Sequence, residues 1–176
     1  EKEKKAFNTY SVERCIEELN RTDIGTLLGI HPEGTRNKNP DPYSFLPAQP
    51  GVGRIALGVT NRTKVIPIFA LGMGQSIADE MKKNALAPKE HPVDVYFGKP
   101  IDFDDLRPRA AMITAQKKAA DRCLDAIKAL AEQQRRDAAI RDGRDPDAEP
   151  PVSERPSLRH PFSSRAPESV QPSADV

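Results

Sequence analysis

Cysteine is scarce in this chain, charge of one sign is missing, and so is any long apolar run. Cys15 and Cys123 lie 108 positions apart inside helix-like segments, with no metal-ligand spacing around either. They read as reduced, small core residues of a cytosolic setting. The 27 Lys and Arg residues are balanced by 26 Asp and Glu, for a formal net charge of +1. No broad field favours nucleic acid, and any anion site has to be local. The longest apolar run, Val65 to Leu71, contains Pro67 and falls far short of the roughly 18 apolar residues of a membrane span. No signal peptide is visible. The first residue is Glu1 rather than Met, which raises the expectation that an N-terminal part is missing. What is present, 176 residues at 37% hydrophobic composition, suffices for one folded domain with a core.

Periodicity supplies the elements. Tyr10, Val12, Cys15, Ile16 and Leu19 fall near a 3.6-residue period and predict a helix over about 8–20, with Ser11 as a candidate N-cap. "DIGTLLGI", Asp23 to Ile30, is a short apolar run between breakers, the pattern of a strand buried on both faces. "GVGRIALGV" predicts a short helix opening near Gly51, and "KVIPIFALG", Lys64 to Gly72, a second buried strand. Pro67 marks an edge, a bulge or a strand end there. "HPVDVYFG" supplies a third strand with alternating Val93, Val95 and Phe97. "IDFDDL" offers Asp104 or Asp105 as the cap of the following helix. A helix over about 109–136 can bury Ile113, Ala120, Leu124, Ile127 and Leu130 as one stripe. Charges from Lys117 to Arg144 then form a solvated face.

Strand, helix, strand, strand, helix spells α/β, with a central mixed or parallel sheet covered by helices. From Gly143 onward the last 34 residues hold seven of the 17 prolines and little large apolar surface. Residues 1–142 are therefore expected to form the folded part and 143–176 a disordered Pro/Ser-rich tail. "GMGQSIADEMKKN", Gly72 to Asn84, is either an ordinary surface helix or an amphipathic segment that touches membrane.

The stretch "GIHPEGTRNKNP", Gly29 to Pro40, follows the first predicted strand. Gly29 and Gly34 have the gap of a nucleotide-binding loop, but Thr35 and Arg36 stand where Lys and Ser or Thr are needed. A glycine flanked by a carboxylate and a guanidinium at a strand's carboxyl end suits a ligand site in an open α/β sheet. Arg36 can grip a phosphate through two parallel hydrogen bonds, Thr35 can add a hydroxyl, and Glu33 can accept from an alcohol or hold Arg36. The alternative is a solvated Glu33–Arg36 loop pair worth at most about 1 kcal/mol.

"HPEGTRN", followed some thirty residues later by "VIPIFALG", resembles the lysophospholipid acyltransferase family, the PlsC-type 1-acylglycerol-3-phosphate O-acyltransferases. There the usual text is F-P-E-G-T-R-S and then a V-P-V or I-P-I strand. The similarity covers roughly residues 8–131. It implies a glycerol-3-phosphate acyltransferase-like fold and transfer of a fatty acyl group from acyl-CoA or acyl-ACP to lysophosphatidic acid, without metal or bound cofactor. It further implies that Glu33, Gly34, Thr35 and Arg36 bind the acceptor's phosphate and glycerol, and that Val65, Ile66, Pro67 and Ile68 lie beside the acyl-donor site. The complete protein would then sit at the cytoplasmic face of a membrane, its partners being the acyl donor, the lysophosphatidic acid acceptor and the membrane surface.

The departures matter as much. His31 replaces the usual Phe, and "AQPG", Ala48 to Gly51, stands where the family tends to have a basic F-K-K-G, leaving Arg54 or Lys38 as substitutes for the lost charge. Family chemistry rests on a His with an Asp five positions later, the His deprotonating the acceptor hydroxyl and the Asp orienting it. Five positions after His31, His91 and His160 stand Arg36, Tyr96 and Arg165. That motif and a glycerol-binding G-x-x-F-I-x-R motif lie upstream of E-G-T-R in the family, and only 32 residues precede Glu33 here. The expectation is the C-terminal portion of an acyltransferase, inactive alone. Two alternatives stay open: His31 as the base, against its being a buried or half-buried replacement of Phe, and a noncatalytic phosphate- or lipid-binding module that keeps the loop.

Overall fold

The computed structural model describes residues 2–35, 39, 41–72 and 93–147, with side chains from residue 7 onward. In chain order the elements are α1 (Lys2–Asn20), α2 (Pro50–Gly58), β1 (Ile68–Leu71), β2 (Asp94–Phe97), a 3-10 turn at Arg107–Arg109 and α3 (Ile113–Arg141). Helices and a small sheet are thus combined in one core.

That core forms where α2 lies on α3. Gly53 is buried there because a Cβ on it would sit 1.8 Å from the Gln116 carbonyl oxygen and 2.8 Å from the Ala120 nitrogen. Ala119 and Ala120 are fully buried opposite it, so small residues on both helices let the backbones approach closely. Ala56 and Leu57 of α2 meet Phe103, Leu106 and Cys123 around this contact. Burial pushes the Cys123 thiol up to about 11. Cys123 and the half-buried Cys15 are free thiols.

β1 and β2 pair antiparallel, with Ile68 opposite Phe97 and Leu71 opposite Asp94. β1 opens directly after Pro67, whose ring nitrogen has no proton to donate to a ladder. Its carbonyl still accepts from Gly98 N at 2.9 Å, and Val65 O accepts from Ile101 N at 2.9 Å, extending the pairing past the strand ends. The alternation of side chains gives the sheet two faces. Phe69 packs on Leu130 and Ala131 of α3, whereas Ile68, Val95 and Phe97 face water.

Several sequence expectations need correction. Asp23–Ile30 is not a strand buried on both faces: it is irregular and exposed throughout, with no strand beside it among the described residues. A doubly buried strand needs hydrogen-bonded neighbours, and β1 pairs with β2 alone. The described sheet is accordingly a two-stranded antiparallel one. Ile113 is exposed rather than part of the α3 stripe, since it occupies the first turn beyond the reach of α2. Neither Asp104 nor Asp105 caps a helix. Met112 is the N-cap of α3 without a side-chain bond, Asp105 is drawn into a two-pronged pair with Arg122, and Asp102 accepts from Asp104 N. The solvated charged face of α3 is interrupted at Gln134, which is 2% exposed. The helix ends where Gly143 takes φ +69°: Gly143 N bonds Ile140 O and Arg144 N bonds Ala139 O, a closure that favours glycine. The amphipathic segment, apart from Gly72, and the tail from residue 148 lie outside the described residues.

Candidate anion-binding loop

The loop that carries the E-G-T-R quartet begins in a tight turn in which Gly34 N donates to His31 O at 2.9 Å. Gly34 has φ +72°, a conformation that costs a side chain steric strain. A Cβ there would also meet Gln49 Cγ at 2.7 Å. Two bonds staple the turn to the chain ahead of α2. Gln49 N donates to Pro32 O at 2.8 Å, and Leu46 N donates to Glu33 Oε2 at 2.8 Å. Glu33 therefore has a definite task, fixing the loop against residues 46–49. Sequence reasoning offered it an alcohol or Arg36 instead.

The stapled turn lies beside the start of α2. Gln49 is the N-cap and makes no side-chain capping bond, Pro50 opens the helix, and Val52 N donates back to Gln49 O at 3.3 Å. Thr35, the residue after Gly34, is exposed, and Arg36 and Lys38 lie outside the described residues. Arg54 points elsewhere: its guanidinium pairs with Glu13 of α1 at 2.8 Å. It does not replace the missing charge of the "AQPG" stretch.

His31 is exposed, which corrects the expectation that it takes the buried place of a Phe. The chain turns outward at this point, and its backbone carbonyl rather than its ring anchors the loop. Among the described residues no hydrogen bond or ion pair reaches the His31 ring, so no carboxylate orients it as a base would require.

The second motif splits by environment. Pro67 is buried and Val65 half-buried against the core, while Ile66 and Ile68 are exposed. Residues 43–46 connect the two motifs. The Phe69 ring, one position beyond Ile68, lies 6.2 Å from Tyr43 and 6.4 Å from Phe45, and the next residue, Leu46, is the one held by Glu33. Tyr43 is fixed in turn by its hydroxyl, which donates to Gln134 Oε1 at 2.6 Å. Gln134 Nε2 donates to Asp94 Oδ2 at 3.0 Å, and Arg141 donates to the same oxygen at 3.2 Å. The Gln134 bond first, and then Arg141, hold the Asp94 carboxyl below its ordinary value. This chain from Tyr43 to Arg141 was missed in the sequence. A lone Gln inside an otherwise charged helical run was its one signal.

Among the described residues no group of three His, Cys, Asp or Glu side chains could hold a metal ion, and no helix is long and apolar enough to cross a membrane. No protein-family model, curated protein or solved structure matches the chain.

Proposed function

We propose that this chain carries the acceptor-binding part of an acyltransferase that moves a fatty acyl group from acyl-CoA or acyl-ACP to lysophosphatidic acid in phospholipid synthesis. The observation that carries the reading is the stapled Glu33–Gly34 turn beside the start of α2. A loop held at both Pro32 and Glu33 gives the exposed Thr35 a fixed base, and preorganised donors are what phosphate capture needs. Glu33 acts by positioning, Arg36 by gripping the phosphate, and Val65–Ile68 by lining the acyl-donor side. The central mixed or parallel sheet of the resemblance belongs to this reading too, as does a place at the cytoplasmic face of a membrane.

The chain itself lacks a His with an Asp five positions later, so the base that deprotonates the acceptor hydroxyl belongs to a polypeptide segment outside it. The same absence favours a second reading, a noncatalytic phosphate- or lipid-binding module. Both readings require phosphate-dependent lipid binding by this chain. Sedimentation with vesicles should show retention by lysophosphatidic acid above that by monoacylglycerol, with Arg36→Ala abolishing the difference by roughly 10- to 100-fold in affinity. Equal binding to both lipids, or an Arg36→Ala variant indistinguishable from the parent, would overturn the phosphate site and both readings with it.

A further inference from the structure

The side of the sheet that faces away from α3 has a single chemistry. On the inner side Pro67 and Phe69 are buried, and a Cβ on Gly98 would meet the Pro67 and Leu130 side chains. Alternation then turns Ile66, Ile68, Val95 and Phe97 outward. All four are exposed, Phe97 at 69%. The same alternation carries past the strand ends. Thr63 points inward, its hydroxyl donating to Leu19 O, and Val65 packs against the core, so the exposed Lys64 lies outward between them. Gly98 N donates to Pro67 O, which keeps the register of Ile68 with Phe97 and sets the exposed Lys99 outward across from Ile66.

Over 64–71 and 93–100 the one acidic residue is Asp94, and it belongs to the inner face, bonded to Gln134 and Arg141. Tyr96 is turned the same way, its hydroxyl on Asp137. The outward face thus joins apolar side chains to two lysines and holds no carboxylate. Neither Lys64 nor Lys99 makes a hydrogen bond or ion pair with any described residue.

Apolar surface bordered by cations that the chain leaves unneutralised calls for a partner that is apolar and anionic at once. A protein partner would fix its position through about one hydrogen bond per 100–200 Å², and this face presents no hydrogen-bonding side chain besides the two lysines. A bilayer interface makes no such demand. Its acyl boundary accepts the apolar side chains while the lysine stems reach back to the phosphates.

We propose that this face of the β1–β2 sheet docks on an anionic lipid bilayer, with Phe97 and the isoleucines at the headgroup–acyl boundary and Lys64 and Lys99 on lipid phosphates. The acyltransferase reading places the complete protein at a membrane; the docking face is inferred from these side chains alone and does not rest on that reading.

Sedimentation with vesicles free of lysophosphatidic acid and of acyl donor tests the face apart from the Glu33–Arg36 site. The chain should bind vesicles of an equimolar mixture of phosphatidylserine and phosphatidylcholine and not those of phosphatidylcholine alone, and salt should weaken the binding. Lys64→Gln with Lys99→Gln should cost about 30-fold in affinity, whereas Lys118→Gln, at an exposed lysine of α3, should leave it unchanged. The chain has no tryptophan, so single reporters locate the contact. Phe97→Trp should shift its emission to the blue on the anionic vesicles, and Tyr10→Trp, at an exposed position of α1, should not. Each variant should keep the parent's circular dichroism spectrum, since every replaced side chain is exposed. Equal binding to neutral and anionic vesicles, no binding to either, a double lysine variant that binds like the parent, or Tyr10→Trp shifting in place of Phe97→Trp would each overturn the proposal.

Discussion

The α2–α3 contact uses residues similar to those of two exposed regions, residues 23–30 and the bare face of β1 and β2, to the opposite end. Leu57, Ala56 and Leu124 are buried at the first; Leu27, Ile68, Val95 and Phe97 are exposed at the second. Apolar character alone does not decide burial. What decides it is whether the chain supplies a matching surface. Gly53 and Ala120 create one by allowing two helices to touch, whereas Cβ atoms on Gly25 and Gly29 would meet nothing within 4 Å.

The largest effects should therefore come from the closed region. Phe103→Ala removes a side chain that is 2% exposed and should cost about 3 to 5 kcal/mol in denaturant unfolding; a loss below about 1 kcal/mol would show a loose core. Gly53→Ala should destabilise by about 3 kcal/mol or more, because the obstacles are backbone atoms that cannot rotate away. An unchanged midpoint would break the close-packed helix pair.

Next in size is Gln134→Ala, expected to cost about 2 to 3 kcal/mol by leaving the Tyr43 hydroxyl unpartnered and opening a gap. The partner of Gln134 adds a pH signature. With its folded pKa held below the ordinary 3.8, Asp94 contributes stability that is present above that value and is lost as pH falls through the lowered one. Asp94→Asn should lose that contribution at neutral pH and unfold over a flatter acid limb. An acid limb identical to the parent's would show that the Gln134 and Arg141 bonds are not maintained in solution. At the small end stands Leu27→Ser, which should change the unfolding free energy by no more than about 0.5 kcal/mol. A larger loss would mean that residues 23–30 pack on the body.

How much of this was legible depends on how locally each feature is encoded. The 3.6-residue spacing of Val12, Cys15, Ile16 and Leu19 announced α1, though the helix begins at Lys2 rather than near residue 8, Tyr10 is exposed, and Ser11 lies inside the helix, donating to Phe7 O instead of capping it; the run from Ala120 through Leu124 to Leu130 announced α3, because helical periodicity is a local property. Pro67 announced a strand boundary for an equally local reason, and β1 begins after it. Asp23–Ile30 has a strand's composition, yet pairing is non-local, and no composition shows whether a neighbour exists. The candidate loop was found by its residue order. The task of Glu33 was not, since its partner is a main-chain donor 13 positions away that carries no side-chain signature. Gln134 was read as part of a charged face because its polarity matches its neighbours; only its contacts with Tyr43 and Asp94 set it apart.

The contrast between the closed and open regions is tested most directly by amide hydrogen exchange. The account predicts strong protection along α3 and free exchange in residues 24–30. Protection of residues 24–30 equal to that of α3 would contradict it, for they would then be hydrogen-bonded in the folded chain.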